Sequence, residues 1–258
     1  MTATPRFRSV LFGLVGVLVT IGSISSAVAR ESSAPPHLQA AIALLSAIDP
    51  SETSYTHKDI VVHFPGDGGS NKAECRTDCS GLLDTVLERA YHLSPAQLSD
   101  WLDAKRPLAT HYHAVIAAEH GFERIAALQD VRPGDILAVK FPPGTKGGDT
   151  GHVMIVAGTP HERTATAPIE SKTLQWEVPV IDESKHCHGT TDTRHRPDHT
   201  SADGLGRGVL RVYTDRNGHV AGYAWSIEKI SKFEVQSDRN MVIGRVQPDF
   251  IRSLKQAQ

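Results

Sequence analysis

The segment Asp78-Cys79-Ser80-Gly81 opens an amphipathic run, residues 80–91. In it Leu82, Leu83, Val86, Leu87, Ala90 and Tyr91 share one face and Asp84, Glu88 and Arg89 the other. A cysteine at a helix start meets the positive end of the peptide dipoles and unpaired backbone N–H groups, and both favour the thiolate. A thiolate suits attack on a carbonyl carbon, and the same N–H groups suit the oxyanion that results. Asp78 is equally suited to cap the helix. Such a nucleophile requires a base. His152 opens a β-branched run behind a Gly-rich loop, downstream of Val131-Arg132-Pro133-Gly134-Asp135. Its ring is expected to face a cleft while the residues after it anchor the strand. A third group orients such a base. Asp182, following residues 178–181, occupies the equivalent end of a neighbouring strand, with Glu183 and the histidines beyond it as alternatives.

These residues need elements to hold them. Leu38, Ala41, Ile42 and Leu45 recur at helical spacing, so residues 37–48 are expected as an amphipathic helix. Residues 49–58 are turn-rich, residues 60–64 suit a short strand, and residues 65–71 are loop by composition. Ser94-Pro95 supplies an N-cap and a Pro at the first helical position, opening a helix through Leu98, Trp101 and Leu102. A further helix is expected over residues 110–120, stopping at Gly121. The pattern then turns β-branched over residues 135–140, 152–157 and 176–181. Residues 209–214 pair with 220–226 across Asp215-Arg216-Asn217-Gly218, and residues 241–246 form a last strand. Helices followed by a mostly antiparallel sheet is an α+β arrangement. Residues 185–207 are a long polar insertion carrying His186, His188, His195 and His199.

Of 258 residues 22% are charged and 40% apolar, which is a folding composition. With a formal net charge of −2 there is no positive excess, and no nucleic-acid partner is expected. Arg6 and Arg8, the apolar run 10–24 and the small residues 25–29 match an export signal cleaved after Ala29. The apolar run is shorter than the ~20 residues of a membrane span, so no span is expected after cleavage. The mature chain is expected in the periplasm or outside the cell. There, oxidising conditions suit a Cys75–Cys187 disulfide that leaves Cys79 free. The rival assignment is a zinc-binding protein using Cys75, Cys187 and the insertion histidines, although Pro197 keeps His195 and His199 off one regular helix face.

The order Asp-Cys-Ser-Gly on a helix start, Pro-Gly-Asp leading a strand, Gly-His-Val on the next and a polar residue on a third resembles the NlpC-type papain-like cysteine peptidases. That family comprises exported bacterial enzymes cutting peptidoglycan stem peptides. The resemblance implies a papain-like fold over roughly residues 38–184, with Cys79 as nucleophile, His152 as base and Asp182 as the third member. Asp78 and Ser80 would line the substrate pocket, and no cofactor or metal is required. Where the family commonly has a Tyr, in an aromatic-Gly-Gly stretch, this chain has Phe64 within His63-Phe64-Pro65-Gly66-Asp67-Gly68-Gly69. Three segments are therefore expected: a signal at 1–29, a catalytic core at 30–184, and an insertion with added strands at 185–258 continuing the same domain. A non-catalytic relative that binds cell-wall peptides is the remaining alternative.

Overall fold

In the computed structural model, residues 1–2, 34–145 and 148–256 are described. The expected export signal therefore lies outside the described residues, apart from its first two. The chain divides into a unit of Met1–Ser32 and a unit of Ser33–Gln258, and every element below belongs to the second.

Helix α1 (Pro36–Ala47) leads into strands β1 (Ile48–Tyr55), β2 (Val61–His63) and β3 (Ala73–Thr77). Helices α2 (Cys79–Tyr91), α3 (Pro95–Leu102) and α4 (Ala109–Ala117) follow. Next come β4 (Phe122–Arg124), β5 (Ile136–Lys140), β6 (Gly151–Val156), β7 (His161–Arg163) and β8 (Leu174–Ser184). The chain continues through β9 (Gly204–Thr214), β10 (Val220–Ala224), β11 (Phe233–Val235), β12 (Asn240–Val246) and α5 (Pro248–Gln256). The protein is α+β. Its main sheet runs β11-β10-β9-β8-β6-β5-β12-β4, with β7 beside β8. All its pairings are antiparallel. A smaller sheet is ordered β1-β3-β2.

Alternation in the strands divides the core in two. Ile136, Ala138, Val153 and Ile155 join the helices' buried residues in one cluster, among them Leu82, Val86, Trp101 and Ile116. Leu137, Val139, Met154 and Val156 join Val178, Val180, Leu210 and Val212 in the other. Burying each of Leu82, Leu83, Val86 and Leu87 contributes about 1.5–3 kcal/mol, so packing against the sheet holds α2 in place.

Three differences from the expected elements affect the site. Residues 49–58, expected as turns, instead contain most of β1, which pairs in parallel with β3 through a register shift. Its Ser/Thr/Glu composition and half-exposed face carry no alternating signal. Strand β8 extends to Ser184, so Asp182 sits within a strand, opposite Gly206 of β9, and not past its end. Strand β9 begins at Gly204, inside the expected insertion, leaving residues 185–203 as the true excursion. Residues beyond 184 supply β9–β12 to the main sheet.

Candidate active site

Cys79 is the first residue of α2 and is buried. Asp78 caps the helix: its Oδ1 accepts from the Gly81 N–H at 2.8 Å and from Ser80 Oγ at 2.8 Å. Its Oδ2 accepts from His57 Nδ1 at 3.0 Å and Arg106 at 2.9 Å. Burial opposes ionisation of Asp78, but the Gly81 N–H, His57, Ser80 and Arg106 outweigh it and hold the carboxyl below its ordinary value. Gly81 has to be glycine, since a Cβ there would lie 2.2 Å from Thr77 Oγ1. Asp78 and Ser80 line the cleft beside Cys79, with Asp78 Oδ1 and Ser80 Oγ hydrogen-bonded to each other at the helix cap.

His152 sits near the start of β6, where that strand has left β8. The two pair only at Ile155 with Ile181 and Val156 with Val180. The opening admits the His152 ring, whose Nε2 donates to Asp182 Oδ2 at 2.7 Å. Cys79 lies close enough for its charge to act on the ring. Gly151 sets this approach: a Cβ there would meet the Val139 carbonyl oxygen at 1.9 Å. Burial disfavours a charged ring, but the neighbouring Cys79 and the hydrogen bond to Asp182 outweigh it, raising His152 to about 10. His152 and Asp182 are thus hydrogen-bonded, with Cys79 nearby at the start of α2.

Asp182 has further partners that the sequence did not suggest. Its side chain is fully buried; Oδ2 also accepts from His188 Nε2 at 3.0 Å, and Oδ1 accepts from Arg194 Nη2 at 2.8 Å. His188 Nδ1 contacts the Trp225 carbonyl oxygen at 2.7 Å. Arg194 in turn holds buried Asp192 at 2.7 and 2.9 Å and the Gly204 carbonyl at 3.0 Å. Burial opposes ionisation of Asp182, but Arg194, His188 and His152 hold it well below the ordinary carboxylate range. The polar excursion is thus in part a buried clamp. The signal for it was Gly204-x-Gly206-x-Gly208 on β9: Cβ atoms at Gly206 and Gly208 would lie 2.3 Å from Arg194 Nε and 2.5 Å from Asp192 Oδ2. Alternate glycines on one strand face leave the room that the 188–194 turn occupies.

The expected Cys75–Cys187 disulfide is not formed; all three cysteines are free. Cys75 points into the core from β3 and donates to Glu183 Oε2 at 3.3 Å. Burial, then the adjacent Glu183, push the Cys75 thiol up. Glu183, weighed as a substitute for Asp182, is committed to this pair. Burial raises it to about 9, so it is neutral at pH 7. The zinc ligands considered are not gathered either. Among the described residues no group of three or more His, Cys, Asp or Glu is placed to hold a metal ion. The His195 and His199 rings lie 6.0 Å apart, while His188 faces Asp182.

Two clefts flank the Cys79–His152 contact. One, of about 220 Å³, is lined by Cys79, Asp78, Ser80 and His57; the other, of about 360 Å³, by His152, Trp225 and Lys185. Tyr55, Asp149 and Gly151 line both. Phe64 is buried in the core, and the tyrosine that lines both clefts is Tyr55. It was missed because β1 was expected as turns. Trp225 stands edge-on to His152 at 5.0 Å and stacks on His188 at 4.3 Å, covering both rings.

Fold and site together define an α+β protein with a buried Cys–His–Asp constellation where a helix start meets an antiparallel sheet. By sequence, the chain is 34% identical over 201 residues to an uncharacterized protein of Acanthamoeba polyphaga mimivirus, covering 76% of this chain and 88% of the viral one. The chain belongs to the family of that viral protein. No protein-family model matches the chain, and no solved structure matches it.

Proposed function

We propose that the protein is a cysteine hydrolase of the papain-like, NlpC type that cleaves amide bonds, with peptidoglycan stem peptides as its substrate class. The observation carrying this is the His152 imidazole, hydrogen-bonded to buried Asp182 at 2.7 Å and close to Cys79 at the start of α2. Burial opposes charge on His152, but Cys79 and Asp182 raise it to about 10, and the first turn of α2 presents the positive end of its dipoles to the sulfur. The thiolate adds to the amide carbonyl, and N–H groups of the first helical turn, which have no acceptor within the helix, stabilise the oxyanion. Asp182 orients the ring. His152 protonates the leaving nitrogen, and water releases the acyl-enzyme. Export, to the periplasm or beyond the cell, is part of the proposal and rests on the pattern of residues 6–29.

The test is iodoacetamide labelling followed by mass spectrometry, alongside digestion of purified peptidoglycan. Selective, rapid alkylation of Cys79 near neutral pH is expected, together with new amino termini in the digest that Cys79→Ala and His152→Ala abolish. Equal and slow alkylation of all three cysteines would refute the activated thiol. Alkylation without any peptide product would favour a binding-only relative.

A further inference from the structure

Asp182 serves two imidazoles, and the proposed reaction uses one of them. Its Oδ2 lies 2.7 Å from His152 Nε2 and 3.0 Å from His188 Nε2. His188 is fully buried, and its Nδ1 lies 2.7 Å from the Trp225 carbonyl oxygen. The Trp225 indole stacks on the His188 ring at 4.3 Å with 25° between the planes, and meets the His152 ring edge-on at 5.0 Å. His188 therefore contacts both Asp182 and Trp225, and each of these contacts His152.

Sheet hydrogen bonds do not by themselves hold those two groups together. Asp182 lies on β8 and Trp225 follows β10, with β9 between them. Two strand spacings amount to about 10 Å, beyond the reach of a direct hydrogen bond. His188 crosses that gap over β9, at Gly208, where a Cβ would lie 2.5 Å from the Cβ of His188. The His188 backbone N–H donates to Asp192 Oδ2 at 2.7 Å, which anchors it to the clamp around Arg194. An apolar side chain of similar size would fill the volume and stack on the indole, but it would make neither polar contact.

We infer that His188 is a positioning residue of the proposed reaction: it ties Asp182 to Trp225 across β9, and so fixes the two groups that set the His152 ring beside Cys79. The inference rests on the hydrolase proposal above. In this role His188 touches no substrate, and its part is geometric. A base displaced by about 1 Å loses on the order of 10²-fold in rate, so the effect falls on kcat and not on KM.

Half-isosteres of His188 in the purified protein separate its two contacts. His188→Leu makes neither. His188→Gln carries an amide that reaches the Nε2 position beside Asp182, and His188→Asn one that reaches the Nδ1 position beside the Trp225 carbonyl. Trp225→Ala removes the indole and keeps that carbonyl. Each variant is read by the rate of Cys79 alkylation by iodoacetamide at neutral pH and by urea unfolding. Release of amino termini from fragments of purified peptidoglycan supplies kcat and KM. His188→Leu is expected to lower kcat about 10²-fold with KM little changed, and to slow the alkylation, while the protein is still folded. His188→Gln is expected to recover about tenfold of that loss, His188→Asn less, and Trp225→Ala to lower kcat about tenfold. Unchanged kcat in folded His188→Leu, or equal kcat in the Leu and Gln variants, would overturn the inference. So would losses that only follow the loss of stability across the four variants. If His188→Leu does not fold, parent-like kcat in both His188→Asn and Trp225→Ala would overturn it. The alkylation readout needs no substrate, so it tests His188 even where no peptide is released. Absence of selective Cys79 alkylation in the unmutated protein would instead sink the hydrolase proposal. Selective alkylation that the His188 variants leave intact would sink only the His188 assignment.

Discussion

Replacing Arg194 by Met keeps much of the side chain's length while removing the guanidinium that two buried carboxylates share. Arg194 Nη2 lies 2.8 Å from Asp182 Oδ1 and 2.7 Å from Asp192 Oδ2, and both carboxylates are fully buried. Breaking a buried pair by deleting one partner costs about 3–5 kcal/mol, because the remaining charge is left uncompensated. The strained pair relieves itself by taking up a proton. If Asp182 takes it, the hydrogen bond that fixes the His152 ring loses its charged acceptor. His152 then titrates nearer the ordinary histidine range, down from about 10. Urea unfolding at pH 7 reads the first effect. NMR of the imidazole resonances against pH, with the pH profile of Cys79 alkylation, reads the second. Arg194→Lys keeps one charge without the fork and is expected to restore part of the stability but little of the profile. The exposed neighbour change Arg196→Met serves as control, within about 0.5 kcal/mol of the parent. A loss under about 1 kcal/mol with an unchanged His152 titration would show that Asp182 does not depend on Arg194.

Other substitutions follow from the same contacts. Glu183, raised to about 9 by burial, binds a proton on folding, so its contribution is fullest below the ordinary glutamate value and declines as pH rises toward 9. Glu183→Gln removes that decline and is expected to stabilise by roughly 3 kcal/mol at pH 7 but little at pH 4, as thermal melts at the two values would show. Asp182 runs the opposite way. Its depressed folded value contributes stability above the ordinary carboxylate range that is lost on acidification, so Asp182→Asn should flatten the acid limb of the stability curve. Gly151→Ala drives a Cβ against the Val139 carbonyl and is expected to slow Cys79 alkylation at least tenfold as His152 is displaced. Gly206→Ala pushes into Arg194 and should reproduce the Arg194→Met phenotype in weaker form, measured by the same urea titration.

Local pattern was enough to place Cys79 at a helix start, His152 near a strand start, and the class of fold. Helix starts are written in short-range chemistry, and Asp78-Cys79-Ser80-Gly81 supplies a cap and an amphipathic face within thirteen residues of α2. His152 follows a glycine that has to be there, and continuous apolar runs mark β5, β6 and β12. What surrounds Asp182 was decided only in three dimensions. His188, Asp192 and Arg194 belong to a polar stretch that composition assigns to the surface, and they are buried because glycines on β9 open a groove beneath them. Tyr55 reached the site on a strand whose partner lies about twenty residues along the chain, through a parallel pairing that leaves no periodic trace in polar residues. Cys75 was assigned to Cys187 from sequence proximity to the site, whereas the inward face of β3 turned it to Glu183. Helix caps and strand alternation are set by neighbours in sequence. The partners of a buried charge are set by whichever distant groups the fold brings within 3 Å, and sequence spacing carries no record of that distance.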